Sequence, residues 1–280
     1  MNPLTNLADN SPSKLSVDSI LFKSLLSKGN KEQAIDISEG ILERSRSMEE
    51  RDHEVEAWIR MERALLGVLG EDAVGDELSW CSERLATVSL GSTLHGISLL
   101  NLGSWHKNRG QSMMALVIFS DITSSEGFPN DIIGLSRLES GRIHAELGDF
   151  ESAMRHLWIA MKRLSGGEMS AESIVCAMEW LDIALDNVDP ATPRMSEIIS
   201  EAKPRETRGE TRIPSNPDDV REAVEQITPL VTGELSGPLR DDLGIIIDAG
   251  DLIEEPSWAN MLRERISEIQ DPRIIEALQS

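Results

Sequence analysis

Residues Arg137–Leu164 read RLESGRIHAELGDFESAMRHLWIAMKRL, and this stretch decides the fold. Gly148-Asp149-Phe150 interrupts two apolar stripes, with Leu138 and Gly141 before it and Ala153, Leu157 and Ala160 after it. Apolar residues at helical spacing on both sides of a glycine predict two helices folded back as a hairpin. The glycine supplies the left-handed residue that closes the first helix. Gly141, with no side chain, marks a close approach of the two helices. The prediction is an all-α hairpin.

Working outward, the pattern returns. In Ile97–Ser124, Leu99 and Leu102 precede Gly103, Gly110 ends the helix, and Ala115, Phe119 and Ile122 share the next stripe. In both units the small residue lies seven positions before the turn glycine and twelve before the alanine. Breaks at Gly29-Asn30, Gly70-Glu71, Gly110-Gln111 and Gly148-Asp149 give spacings of 41, 40 and 38 residues. Ser19–Arg44 matches in part, through Gly29-Asn30 and Ala34, with Ser38 in place of a large residue. Glu54–Val88 matches at Gly70 alone, with no alanine at the expected spacing.

A small residue, a Gly-Asp/Asn-aromatic turn and an alanine-rich second helix resemble the tetratricopeptide repeat. The resemblance implies a right-handed superhelix of antiparallel helical hairpins, here a divergent variant. Its spacing exceeds the family's repeat of about 34 residues, and the chain has no tyrosine. His106 and His144 fill the family's tyrosine slots and are expected to pack inside the repeat.

The expected organisation is a disordered N-terminus over 1–14, a repeat array over 15–202, a linker over 203–217 and an acidic helical region over 218–280. A helix is expected from Ala171 to Leu185 and a short one from Met195 to Ala202. Lys203–Pro217 (KPRETRGETRIPSNP) is polar and proline-rich, as linkers are. Beyond it, a helix from Asp218 is expected to halt before Pro229. Further helices are expected over Pro238–Ala249, Ser257–Ile269 and Ile274–Leu278. The Ser257–Ile269 stripe carries Trp258, Met261, Leu262, Ile266 and Ile269, which need a cover. A cap on the array's end is favoured over a separate domain or a segment lying in the groove.

Charge narrows the function. Against 49 Asp and Glu stand 27 Lys and Arg, a formal net charge of −22, which disfavours nucleic acid and anionic membrane. The start of the chain has no basic and apolar leader pattern, and the longest apolar run, Met113–Phe119, is too short for a span. Cys81 and Cys176, far apart, make neither a disulfide framework nor a zinc site, so a cytoplasmic setting is expected. His53, His95 and His156 stand singly. Asp241, Asp242, Asp248 and Asp251 fit no EF-hand spacing and read as caps and a solvated face. There is no nucleophile elbow and no phosphate loop. No catalysis, cofactor or metal is expected.

The resemblance implies a scaffold or adaptor that holds a protein or peptide on a concave face lined by the first helix of each hairpin. The partner-facing candidates are Leu100, Ser104, Lys107 and Asn108 in one unit, and Leu138 and Arg142 in the next. Their polar donors suit a peptide backbone or a carboxylate. The family's clamp for C-terminal carboxylates needs Lys and Asn where Leu100 and Ser104 stand, so that clamp is not expected. The alternative is a regulatory subunit whose acidic C-terminal region is the active or autoinhibitory element.

Overall fold

A computed structural model describes residues 13–47, 49, 51–200, 213–232, 243–269 and 272–280. The helices are α1 (Lys14–Ser27), α2 (Lys31–Ser45), α3 (His53–Leu65), α4 (Glu71–Val88), α5 (Thr93–Asn108), α6 (Ser112–Ser120), α7 (Asn130–Glu146), α8 (Phe150–Leu164), α9 (Ser170–Ala184) and α10 (Met195–Ser200). The C-terminal region adds α11 (Pro217–Thr232), α12 (Gly244–Leu252), α13 (Ser257–Glu264) and α14 (Pro272–Gln279). The described residues contain no sheet, only one isolated bridge between Val188 and Ser215. No helix among them is long and apolar enough to cross a membrane. The expected N-terminal segment up to residue 12 and the linker over 203–212 lie outside the described residues, as do Asp241 and Asp242.

The chain divides into two compact units, 1–114 with 125–128, and 115–124 with 129–280. In the first, α1 pairs with α2 and α3 with α4, each helix also packing on the next. Phe22 and Trp58 meet edge to face at 5.4 Å in the core, where Leu15, Ala34, Ile41 and Ile59 are buried. Gly29 and Gly110 close their helices at φ +73° and +74°, the left-handed conformation the turns require. In the second hairpin the sequence reading needs correction. Gly67, at φ +79°, makes that turn, while Gly70 is the N-cap of α4. Gly75, five residues on, stands where the other units have alanine, and a Cβ there would lie 2.4 Å from the Trp105 ring.

In the second unit α7 and α8 form the hairpin read first from the sequence. Gly148 is left-handed, and Asp149 caps α8 by accepting the Ser152 N–H at 3.2 Å. A Cβ on Gly141 would lie 2.9 Å from Leu157 Cγ and 3.3 Å from the Leu157 nitrogen, so the close approach is real. The two tyrosine-slot histidines do not pack inside. Each is half-buried and reaches over its own turn: His106 Nδ1 meets Gln111 Oε1 at 2.6 Å, and His144 Nδ1 meets Asp149 Oδ2 at 3.1 Å.

The C-terminal helices share the core of this second unit. Val220, Ala223, Val224 and Ile227 of α11 join Trp180 and Leu181 of α9 in one cluster, which continues through Ile246, Leu262, Ile274 and Leu278. Trp258, Met261 and Ile266 pack against it, which gives the α13 stripe its cover. Asp219, in the first turn of α11, is buried. It accepts the Arg194 Nε–H, and the Met195 N–H at 2.7 Å, tying the start of α10 to α11. The helix does not halt before Pro229 but runs to Thr232. Pro229 stands inside the helix, where it forfeits one N–H bond to the preceding turn.

Candidate partner-binding groove

Within the second unit an open groove of about 870 Å³ runs between α7 and α9 on one side and α12 and α14 on the other. Helical packing determines what faces it. Met178, Glu179, Asp182 and Ile183 fall on one stripe of α9, at helical spacing, while Trp180 and Leu181 point into the core. Ile245, Ile247 and Asp248 line it from α12, and Arg273, Ile274 and Ala277 from α14. Phe150 and Leu157 of α8 complete the wall. Ile183, Ile245, Ile247 and Phe150 are half-buried, so apolar surface is on offer beside carboxylates.

Arg142 enters this groove from α7, but not as a free anion receptor. Its Nε and Nη2 donate to Glu179 at 2.6–3.1 Å, and its Nη1 donates to Glu139 at 2.7 Å. Hydrogen bonding to Glu179 raises its pKa above the usual arginine value, against the opposing effect of burial. All three nitrogens are engaged, so the expectation of a carboxylate-reading donor is corrected. Leu138 is corrected as well. At 4% exposure it belongs to the core cluster and presents nothing to a partner. Leu100, Ser104 and Lys107 are half-buried on α5 and Asn108 is exposed at its end, all in the first unit.

The sequence reading missed the α9, α12 and α14 contributions. One signal was available for α9. Glu179 lies 37 residues after Arg142, close to the spacing of the turn glycines, so carrying the repeat one step further places α9 beside α7. No comparable signal marks α12 or α14, whose positions follow from packing alone. Among the described residues no group of His, Cys, Asp or Glu is arranged to hold a metal ion.

These hairpins define an all-α helical repeat protein. No protein-family model matches the chain, and no curated protein does. Among solved structures the chain is similar to "Crystal structure of PilW, widely conserved type IV pilus biogenesis factor" at a TM-score of 0.50. Sequence identity is 12%, over 96% of this chain and 100% of that one. The likeness lies in the fold, and it fits a tetratricopeptide-like helical repeat.

Proposed function

We propose that the chain is a non-enzymatic protein-interaction scaffold that holds a peptide or protein segment in the α7–α9–α12–α14 groove. One observation carries this reading: half-buried Phe150, Ile183, Ile245 and Ile247 line a single open groove about 870 Å³ in volume. The description of PilW as a pilus biogenesis factor is in keeping with a scaffold role. A cytoplasmic setting belongs to the same proposal, supported by the lack of any disulfide between the chain's two cysteines.

Selection of a displayed random-peptide library against the full chain tests it. The selected peptides should lose binding with Ile183→Arg, which fills the groove, and keep it with Leu65→Arg on exposed surface of the other unit. Peptides indifferent to Ile183→Arg would remove the groove from the function. A second reading is favoured by α14, which contributes Arg273, Ile274 and Ala277 to the wall. There the C-terminal helix regulates entry, and Arg273→Ala, which trims its exposed side chain while Ile274 and Leu278 keep the helix in the core, should tighten peptide binding.

A further inference from the structure

The sign of the groove is set by what remains after internal pairing. Arg142 is neutralised by Glu139 and Glu179 within the fold, and the other cation of the lining, Arg273, is offset in charge by Glu146 on the same lining. Asp182 of α9 and Asp248 of α12 also line the groove. Both are exposed, and among the described residues neither has a hydrogen-bond or ionic partner for its carboxylate. In open water two such carboxylates cost nothing. Once an apolar segment seats on Ile183 and Ile245 and displaces water, each is left desolvated unless the segment brings a cation. A neutral or acidic occupant therefore carries a penalty that a basic one removes.

We propose that the groove takes a cationic amphipathic segment of a protein partner, with Lys or Arg side chains on Asp182 and Asp248 and apolar side chains on Ile183 and Ile245. This rests on the groove reading above and adds the chemistry of the occupant to it. The net charge of −22 draws such a segment in from a distance, while the two carboxylates fix where its cations sit.

The test titrates the full chain with two labelled amphipathic peptides, one of Leu and Lys and one of Leu and Glu, read by fluorescence anisotropy. The Lys peptide should bind at least about tenfold more tightly than the Glu peptide. Asp182→Asn combined with Asp248→Asn should cost about tenfold in Lys-peptide affinity and flatten its salt dependence. Both sites are exposed, so the thermal melt should not move. Asp76→Asn with Glu83→Gln removes the same charge from exposed positions on α4 and should leave affinity within about twofold. Equal losses from the two pairs, or tighter binding of the Glu peptide, would overturn the proposal. Ile183→Arg separates the two levels. If it abolishes binding while the Asp pair does not, the groove is used and the cation assignment is wrong. If neither weakens binding, the groove reading falls too. Self-association of the chain that Ile183→Arg abolishes would put a second copy in the groove, and would equally overturn the proposal.

Discussion

His156 shows how one ring can make stability depend on pH. It stacks on His144 with centroids 5.2 Å apart and planes at 14°, and its Nδ1 is buried without a hydrogen-bond partner. Burial, with Arg137 and His144 nearby, pulls its pKa down from the usual 6.5 to about 3, against the opposing pull of Asp149. In that window the unfolded chain binds a proton that the folded chain refuses. Stability is therefore fully present above about 6.5 and is lost as pH falls towards about 3, by up to about 1.4 kcal/mol per pH unit for this group. His156→Leu should flatten the acid side of a denaturation-midpoint profile relative to the parent. A profile of unchanged slope would contradict the burial. Other residues show where single-sequence reading stops. Gly75 stands in the alanine slot counted from Gly70, whereas the left-handed turn residue is Gly67, three positions earlier. Ser38 is legible only in the fold. It is fully buried, and the Arg63 guanidinium donates to its hydroxyl at 2.5 Å. No pattern within one helix announces that partner, because it comes from the next hairpin.

At the scale of elements, hairpins were legible because helical spacing and turn glycines are local signals. The α7–α8 pair and the extents of α9 and α10 follow the sequence to within a few residues. Three-dimensional neighbours were less legible. Pro229 looked like a stop because its cost inside a helix is well known, while its position one turn from the end shows only once α11 is seen whole. The groove wall from α12 and α14 depended on how the C-terminal helices fold back, which their own amphipathic stripes do not specify. The α9–α11 seam makes that fold-back testable. Val224 is 1% exposed within it, beside Ala223 and Ile227 in the shared cluster. Val224→Asp places a carboxylate there without a cation, which should cost several kcal/mol or force α11 off α9. A lowered midpoint in thermal circular dichroism is expected, and an unchanged midpoint would mean that α11 does not hold the C-terminal region to α9.

For the whole molecule, composition spoke to charge and class, and periodicity to the helical repeat. Neither could show that the binding candidates divide between two compact units, nor that Arg142 spends its donors inside the fold. That division has a chemical consequence. Cys81 lies in the first unit and Cys176 in the second, both with no exposed surface. Burial pushes each thiol up to about 12, so at neutral pH neither is a thiolate nor within reach of a reagent. The two sulfurs therefore act as independent clocks. Iodoacetamide should leave both untouched in native buffer, and in rising denaturant should alkylate each only as fast as its own helices open. Mass analysis of the two cysteine peptides reads each clock separately, without engineering a single residue, and rapid alkylation of either one in the native state would place that thiol outside the core.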